Sequence, residues 1–368
     1  MPIYMDLHIV PGVKAGDVAE AHRMDVSIQE QHHCKCMTYW IDESRGHIFC
    51  LINAPGKEAV EELHNQAHGL MPHKIIEVET SVVEAFLGRV SDPEDAAITD
   101  NGLKLINDSS FRIILVTKTT DPVLLQHSLG REKAGELLQT HHNIIRKELA
   151  TQGGIEAEHG GTEFIASFTS AGKAVACAVA IQQQLLHTGS NLPGFSISIN
   201  AGEPVTKNEQ LFGETIQLAE RMCFIAQSSG AGINITSAVK DMVPDHQLQN
   251  NSNNIFILSP PDEQLLQSLF NTLEANWQDT DFNTQDYCKT MAISKSQLYR
   301  KTIALCGLPP NALLKEYRLE KARGLMKKRH HNISQITFDT GFTSPSYFTK
   351  CFKKKYGILP MTYLEMLH

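Results

Sequence analysis

The chain has 368 residues, a length that is long for one domain and comfortable for two or three. Its 42% hydrophobic and 20% charged residues are those of an ordinary soluble protein. No stretch approaches the ~18 apolar residues of a membrane span, and the N-terminus lacks the basic and apolar regions of a signal peptide. Eight scattered cysteines are typical of free thiols in a reducing cytosol, so we expect a cytoplasmic protein with no membrane partner.

The net charge of −8 conceals an asymmetry along the chain. From residue 281 onward there are 15 Lys and Arg residues against 6 Asp and Glu, a balance of +9, which leaves −17 for the first 280 residues. An acidic body with a basic C-terminal region is typical of a protein that reads nucleic acid. A solvated basic face is the alternative, but here the charge coincides with a motif.

The first 79 residues alternate between strand and helix patterns. Apolar and polar residues alternate in the strand segments, and turn signals separate them from two amphipathic segments. The resulting order, β-α-β-β-α-β, predicts a ferredoxin-like domain over residues 1–79. The predicted elements are strand 3–10, helix 14–31, strands 37–41 and 47–52, helix 56–69 and strand 74–78.

Ligands for a transition metal are concentrated in this first domain, which holds eight of the 17 histidines and three of the eight cysteines. Two histidines lie four apart on one helix, a spacing at which two imidazoles can share an ion. Imidazole and thiolate together favour Ni, Cu, Zn or Co over Mg or Ca. The alternative is that helices often carry surface histidines and that a strand cysteine is a small hydrophobe. The candidate ligands are His64, His68, His22, Asp25, His8 and Cys50.

Five short segments of this domain form a recognisable set: Tyr4-Met-Asp-Leu-His8, Trp40-x-Asp42, Phe49-Cys-Leu51, Ala54-Pro55 and His64-x-x-x-His68-Gly69. This set resembles a family of small ferredoxin-like proteins described as nickel-binding. The resemblance implies a metal held by histidines of a dimeric α/β barrel, which assigns His64, His68 and His22 first and the other candidates after them. The run His32-His-Cys-Lys-Cys36 is outside the family pattern, and it either shifts the preference toward Cu or Zn or has no role.

Residues 80–109 begin with a short helical pattern at 82–87 and then become acidic and rich in turn residues. This composition predicts a linker. Residues 110–258 then form a second α/β pattern. Its predicted strands are 111–117, 155–158, 164–168, 195–202 and 232–236, and its predicted helices are 130–152, 171–187 and 212–228.

Four motifs stand out in the second α/β segment: Gly161-Thr-Glu-Phe-Ile-Ala-Ser-Phe168, the start of the helix at 174–182, Ile197-x-Ile-Asn-Ala-Gly-Glu203 and Phe212-Gly-x-x-x-Gln-Leu-Ala-Glu-Arg221. Together they resemble the class III nucleotide cyclase domain. Such a cyclase needs two aspartates to hold two divalent ions on the triphosphate. This chain has Thr117-Lys-Thr-Thr120 at the first position and Thr162 at the second, and a hydroxyl does not replace a carboxylate's charge.

The middle domain is therefore predicted to be an inactive cyclase-like scaffold that dimerises or binds a small molecule or nucleotide. The ribose-positioning asparagine of the family is replaced by Gln217, and only the charge-stabilising arginine, Arg221, is retained. These two residues are the candidate ligand contacts, with a salt-bridge role for Arg221 as the alternative.

Residues 259–368 carry two helix-turn-helix patterns joined by a longer helix. The first is Ser294-Lys-Ser-Gln-Leu-Tyr-Arg-Lys301, a Ser-capped amphipathic segment. In the second, Gly341 supplies a sharp turn, and Ser344 and Pro345 begin the next helix. A polar and basic face on a short helix after a tight turn suits a DNA major groove.

The motifs from 294 to 363 continue with Gly307-Leu-Pro-Pro-Asn, Arg318-Leu-x-x-Ala322 and Phe352-Lys-Lys-Lys-Tyr-Gly357-x-x-Pro360. This ordered set resembles the DNA-binding domains of the AraC/XylS family, and the resemblance implies one helix of each half in the major groove of one duplex. Thr302 and Thr340 stand where the family pattern has apolar core residues. The expected DNA contacts are Ser296, Gln297, Tyr299, Arg300, Lys301, Ser344, Ser346, Tyr347, Lys350, Lys353 and Lys354.

The interpretation favoured by these patterns is a homodimeric, non-enzymatic transcription regulator that binds double-stranded promoter DNA and responds to Ni, Cu or Zn. Two alternatives remain open at this point: a nucleotide cyclase with displaced metal ligands, and a metal-buffering protein. Homodimerisation is expected because both N-terminal modules resemble families that pair.

Overall fold

The structure is a computed structural model that describes residues 1–100, 102–159, 162–188, 194–207, 209–229, 232–249, 254–328 and 332–367. Gly161, which opens one cyclase-like motif, is outside these described ranges. Within them, no helix combines the length and the apolar character that a membrane crossing requires. The chain folds into two α/β units followed by an all-helical unit.

The N-terminal unit is a four-stranded antiparallel sheet with two helices. Its elements are β1 (Ile3–Ile9), α1 (Ala15–Ile28), β2 (Lys35–Asp42), β3 (His47–Asn53), α2 (Lys57–Ala67) and β4 (Lys74–Val78). The strand order is β2-β3-β1-β4, and every neighbouring pair is antiparallel. The predicted ferredoxin-like fold is confirmed. Helix α1 is shorter than predicted because a 3₁₀ turn, Gln29–His32, replaces its last residues.

Strand β1 has two different faces, because successive side chains of a strand point in opposite directions. Asp6 and His8 are buried on the side that α1 and α2 cover. Met5 and Leu7, on the other side, belong to a hydrophobic cluster that continues into the middle of the chain. One strand thus contacts both the histidine-rich side of the first unit and the second unit.

The segment 80–109, predicted as a linker, contains a packed helix. Val83 and Phe86 of this helix are buried in the same cluster as the N-terminal sheet. Arg112 donates a hydrogen bond of 3.0 Å to the carbonyl oxygen of Phe86 near the helix C-terminus. Only residues 88–109 have the turn-rich composition of a linker. The elements are α3 (Thr80–Leu87), β5 (Ala97–Ile98) and β6 (Lys104–Leu105).

The middle unit is built on a six-stranded sheet. Its elements are β7 (Arg112–Lys118), α4 (Pro122–Leu129), α5 (Arg131–Gln152), β8 (Ile155–His159), β9 (Glu163–Phe168), α6 (Ala171–His187), β10 (Ser196–Gly202), α7 (Gly213–Ser229), β11 (Ile233–Ile235), α8 (Ser237–Met242), α9 (Asp245–Gln249) and β12 (Ile255–Ile257). The strand order is β12-β11-β10-β7-β9-β8. The sequence patterns miss α4, α8, α9 and β12, because such short elements contain few periodic positions.

One hydrophobic cluster joins the first two units. It takes Trp40 and Phe49 from the N-terminal sheet, Ile114 and Val116 from β7, and Phe212 from the start of α7. This face of the N-terminal sheet is therefore covered within the chain. The predicted homodimer stays a prediction, and it would need a different surface.

The C-terminal unit contains two helical cores that share one long helix. The elements are α10 (Pro260–Asn276), α11 (Thr284–Met291), α12 (Lys295–Cys306), α13 (Pro310–Lys328), α14 (Ile333–Asp339), α15 (Pro345–Tyr356) and α16 (Pro360–Met366). Leu313 and Tyr317 of α13 lie in the first core, and Leu319 and Met326 lie in the second. At 1.5 Å per residue, α13 is a spacer of about 28 Å. The predicted all-α tandem helix-turn-helix fold is confirmed.

Two contacts attach the C-terminal unit to the middle unit. Met222 of α7 packs in the first core together with Leu298 of α12. Asp121, at the N-terminus of α4, is fully buried and accepts hydrogen bonds from the Tyr363 hydroxyl at 3.0 Å and from Lys327 Nζ at 2.7 Å. Burial alone raises the pKa of Asp121, but the cations of the C-terminal unit outweigh it and hold the pKa below its usual value.

We predict that Asp121→Ala lowers the free energy of unfolding by about 3 kcal/mol, because Arg323 and Lys327 lose the buried carboxylate with which they pair. Urea denaturation of the full chain measures this. The matched control is Asp241→Ala, whose carboxylate is exposed, and for which the change is below about 1 kcal/mol. Equal effects of the two substitutions would refute the anchoring role of Asp121.

Candidate metal centre and nucleic-acid interface

Four elements bring acidic, imidazole and thiol groups together beneath the two N-terminal helices. Strand β1 supplies Asp6 and His8, β3 supplies Cys50, and α1 supplies Asp25. Helix α2 supplies His64 directly and ends at His68, one helical turn later. Two groups of potential ligand atoms result, each within 4.8 Å: Asp6, His8, Cys50 and His64, and Asp25, His64 and His68.

His64 is the residue that both groups share. Its Nε2 atom lies 2.9 Å from Asp6 Oδ2, and its Nδ1 atom lies 3.2 Å from Asp25 Oδ1. His68 Nε2 is 3.2 Å from the same Asp25 oxygen and 3.2 Å from His64 Nδ1. The His64 ring therefore lies between two buried carboxylates, with a second imidazole on one side.

The electrostatics of the centre follow from this geometry. Burial alone lowers the pKa of His64, but Asp6 and Asp25 together raise it to about 10. Burial favours the neutral form of both acids, yet their interactions with the histidines hold the pKa of Asp6 and that of Asp25 below their usual values. Burial, followed by the charge of Asp6, raises the pKa of the Cys50 thiol. Without an ion, the centre is thus an imidazolium held by two carboxylates.

The donor set fits a transition metal. His8 Nε2 is buried 3.3 Å from Asp6 Oδ1 but makes no hydrogen bond within the described part of the chain. A cavity of about 20 Å³, which is room for about one water-sized particle, is lined by His8, Asp25, Cys50 and His68, among others. Nitrogen, oxygen and sulfur donors around a small buried space are ligands that Ni, Cu, Zn and Co accept.

His22 occupies a different position from the other predicted ligands. It lines the same cavity, but its Nε2 atom is 3.9 Å from Asp92 Oδ2 and its ring packs against Tyr39, with centroids 5.1 Å apart. Burial lowers the pKa of His22, and Asp92 opposes this effect. The structure thus groups five of the six predicted ligands and leaves His22 at the edge of the centre.

The sequence patterns miss Asp6, although a signal for it was available. Asp6 precedes His8 by two residues on a strand, so the two side chains share a face. Cys34 and Cys36, from the cysteine-containing run, belong to neither ligand group among the described residues. Burial raises the pKa of both thiols.

The first helix-turn-helix presents α12 to solvent. Ser294 caps this helix: its Oγ atom accepts from Gln297 N at 3.3 Å, and Gln297 Oε1 accepts from Ser294 N at 3.1 Å. Gln297 therefore uses its carbonyl oxygen in the cap and keeps its amide N–H groups for a partner. The other expected contacts on this helix are exposed: Ser296, Tyr299, Arg300 and Lys301.

The second helix-turn-helix presents α15 after a tight turn. Gly341 has a φ of +74°, and a Cβ atom there would lie 2.5 Å from the carbonyl oxygen of Trp277. Ser344 is half-buried because it caps α15 and accepts from Tyr347 N at 3.4 Å. The remaining expected contacts are exposed: Ser346, Tyr347, Lys350, Lys353 and Lys354.

The buried sides of the two helix-turn-helix units accommodate the two threonines that depart from the family pattern. Thr302 and Thr340 are fully buried, and their hydroxyls donate to the carbonyl oxygens of Leu298 and Ile336, four residues earlier, at 2.7 and 2.6 Å. The two threonines therefore occupy core positions without an unsatisfied polar atom. Both helix-turn-helix units therefore have a packed core on one side and an exposed polar face on the other.

The predicted ligand contacts of the middle unit face a helix. Arg221 is 4% exposed and donates to Asn271 Oδ1 at 2.8 Å and to Glu274 Oε2 at 3.0 Å, both on α10. Gln217 Nε2 lies 3.5 Å from the same Glu274 oxygen. These contacts support the structural alternative for Arg221, a salt bridge between α7 and α10. The ligand-binding prediction stays untested.

The two positions at which a cyclase would carry metal-binding aspartates are neighbours in space. Thr119 N and Thr119 Oγ1 donate to the carbonyl oxygen of Thr162 at 2.7 and 3.1 Å. The fold thus places both positions together, but their side chains are threonines. Asp121, two residues further on, is already engaged by the C-terminal unit.

Comparisons with known proteins match the two ends of the chain to different families. Residues 287–366 match a family described as "Helix-turn-helix domain", and residues 4–78 match one described as "Nickel responsive protein SCO4226-like". "Histidine kinase P4" of Formosa agariphila is 37% identical over 29% of this chain and 8% of its own length. "HTH-type transcriptional regulator MtrA" of Neisseria gonorrhoeae is 29% identical over 27% of this chain and 31% of its own length.

A solved bacterial light-regulated adenylyl cyclase is similar to 66% of this chain and 88% of its own, with 12% identity and a TM-score of 0.31. The chain covers less than one third of the length of the two curated relatives above.

We predict that the stability conferred by His64 disappears at alkaline pH. The folded pKa of about 10 is above the usual value of 6.5, so the stabilisation is complete below pH 6.5 and is lost as the pH rises toward 10. In metal-free protein, the difference in unfolding free energy between wild type and His64→Gln should shrink by about 3 kcal/mol between about pH 6 and about pH 9.5.

Urea denaturation at both pH values measures this difference. His246→Gln, at an exposed histidine of the middle unit, is the control and should show no such change. A pH-independent difference for His64→Gln would contradict the imidazolium between two carboxylates.

Proposed function

We propose that this chain, which carries an AraC-type helix-turn-helix domain at its C-terminus and an SCO4226-like domain at its N-terminus, is a transcription regulator that responds to nickel or a similar transition metal. One observation carries this proposal: a buried cluster of candidate metal ligands around His64 occurs in the same chain as two helices, α12 and α15, whose polar faces are exposed to solvent. The proposed domains are the N-terminal unit at 1–79, a connecting segment at 80–109, the middle unit at 110–258 and the DNA-binding unit at 259–368. Within the connecting segment, helix α3 packs against the first two units. We place its action on promoter DNA in the cytoplasm.

The residues that would hold the metal are those of the two ligand groups, Asp6, His8, Cys50, Asp25, His64 and His68. A bound divalent ion supplies positive charge where the metal-free centre has the His64 imidazolium. His64 is held by carboxylates on both ring nitrogens, so exchange of its protons for an ion changes the contacts of α1, α2 and β1 together. That exchange is a differential interaction of the kind that a switch requires.

A continuous set of packed side chains connects the metal centre to the DNA-binding unit. Met5 and Leu7 of β1 lie in one hydrophobic cluster with Cys223 of α7. Met222, the adjacent residue of α7, lies in another cluster with Leu298 of α12. We propose helix α7 as the element that carries the signal. One of its faces belongs to the hydrophobic cluster that includes the N-terminal sheet, and another packs in the core of the first helix-turn-helix.

For DNA binding, the proposed contacts are the eleven residues of α12 and α15 named above, with Arg300 and Lys350 as the principal basic groups. Neither Arg300 nor Lys350 forms an ion pair with any described residue, so both are available to DNA. Arginine can contact guanine through two hydrogen bonds, whereas lysine mostly contacts phosphate.

We propose that the chain has no enzymatic activity. Thr119 and Thr162 occupy the positions that cyclase chemistry gives to carboxylates, and Arg221 is engaged by α10. The middle unit has instead the contacts of a connector between the first and third units. Dimerisation or binding of a small molecule by this unit remains part of the proposal.

We predict that Arg300→Ala combined with Lys350→Ala weakens specific DNA binding by about 10²–10³-fold, because each helix-turn-helix unit loses its principal basic side chain. The measurement is the affinity for duplexes that the wild-type chain selects from a random-sequence library, at one fixed salt concentration. Lys133→Ala combined with Lys147→Ala, at two exposed lysines of α5, controls for the loss of two positive charges. Unchanged affinity and footprints of the double variant would refute the assignment.

We predict that saturation with Ni²⁺ changes the affinity of the full chain for its selected duplex by about 5- to 150-fold, the usual range for coupling between two sites. The variant carrying both His64→Ala and His68→Ala should show no change, and His246→Ala should behave as wild type. Fluorescence anisotropy with and without Ni²⁺ measures this. Tight metal binding without any change in DNA affinity would show a metal buffer instead of a sensor.

A further inference from the structure

A groove of about 520 Å³ lies between the two helix-turn-helix units. Tyr347, an expected DNA contact on α15, forms part of its wall, so the groove opens beside a surface that the proposed function places against DNA. We call it the central groove. It is lined by residues of the loop before α11, of α13 and of the segment that begins α15, among them Thr280, Asn283, Asn311, Lys315, Arg318 and Tyr347.

The floor of the central groove is a close contact between two segments. Arg318 of α13 donates hydrogen bonds to the carbonyl oxygens of Trp277 and Asp279, in the loop between α10 and α11. Gly341, in the turn before α15, lies against the same atoms, because a Cβ atom there would be 2.5 Å from the Trp277 oxygen and 2.8 Å from Arg318 Nε. The groove is therefore built into the junction of the two helix-turn-helix units.

The charge of the central groove is positive. Its lining residues include two cations, Lys315 and Arg318, and no aspartate or glutamate. Lys315 is half-buried and forms no ion pair within the described part of the chain. By contrast, Arg323 and Lys355 of the same unit pair with glutamates of α13. A half-buried amine without a carboxylate favours an anionic partner from outside the chain.

We infer that the central groove receives the sugar-phosphate backbone of DNA between the two half-sites, and that Lys315 contacts a phosphate there. Two helix-turn-helix units on one duplex enter major grooves about 34 Å apart. The protein surface between them then faces the backbone that borders the intervening minor groove. This inference rests on the proposed function, because it names a further part of the same DNA-binding surface.

The role assigned to Lys315 is positioning. A lysine amine is a compact charge on a flexible stem, and phosphate contacts fix the register of a protein on DNA without reading its sequence. Lys315 lies on α13, the helix that joins the two cores, so its contact would hold the duplex between α12 and α15. The sequence patterns did not mark Lys315, because it lies between the two helix-turn-helix motifs and belongs to neither.

The test measures the salt dependence of DNA binding by the full chain carrying Lys315→Gln, on the selected duplex and on an unrelated duplex. One phosphate contact contributes about 0.9 to the slope of log affinity against log salt concentration. We therefore expect the slope to fall by about 0.9, and the affinity at ~0.15 M salt to fall about fivefold on both duplexes. Lys133→Gln, at an exposed lysine of α5, is the matched control and should keep the wild-type slope.

A second variant changes the charge of the groove and almost nothing else. Asn311 is exposed, lines the groove and accepts a hydrogen bond from the Thr284 hydroxyl through Oδ1. Asn311→Asp keeps the shape and this acceptor but adds a negative charge. We expect affinity for both duplexes to fall about fivefold at ~0.15 M salt and the loss to vanish near ~1 M. Asn143→Asp, at an exposed asparagine of α5, is the matched control.

Cooperative unfolding of each variant in urea confirms that it is folded. Wild-type salt slopes for both groove variants would overturn the phosphate site. A loss confined to the selected duplex would assign Lys315 to a base and overturn its positioning role. A wild-type chain that selects no duplex would remove the proposed function together with this inference. Specific binding by wild type with an unchanged slope for Lys315→Gln would remove only the inference.

Discussion

The His64 imidazole between Asp6 and Asp25 is the interaction on which the N-terminal unit depends. Two buried carboxylates would be costly without a cation, and the protonated ring supplies that charge in the metal-free chain. The same ring is thereby placed where a metal ion would bind, so proton and metal compete for one position. The fold thus holds the candidate ligands of the proposed metal site together in the metal-free chain.

The centre lies on a strand that also packs against the next unit. Strand β1 has metal ligands on one face and, on the other, apolar residues packed into the cluster shared with the middle unit. That cluster extends to Cys223 of α7, and the adjacent Met222 lies in the core of the first helix-turn-helix. Asp121 provides a second, polar attachment at the other end of the DNA-binding unit.

The middle unit serves as a packing partner for both of its neighbours in the chain. Thr119, in the stretch Thr117–Thr120, donates two hydrogen bonds to the carbonyl oxygen of Thr162, so the two segments that the sequence analysis compared with cyclase metal-binding positions lie side by side. Arg221, the one retained residue of the expected site, links α7 to α10. Its contacts connect domains, which is consistent with a site whose residues have become structural.

The sequence alone was sufficient for the order of the units, for most helices and strands, and for five of the six residues that cluster as candidate ligands. These features depend on local periodicity, on cap residues and on short motifs, which nearby residues determine. Caps such as Ser294 and turns such as Gly341 were readable for the same reason.

Only the tertiary structure showed that Asp6 completes the centre and that His22 stands apart from it. It alone revealed that the N-terminal sheet is covered by its own chain and that Arg221 is bound to α10. Each of these depends on which faces meet between residues far apart in sequence. A single sequence records the faces that are apolar or charged, but the partner of each face is decided when the units pack.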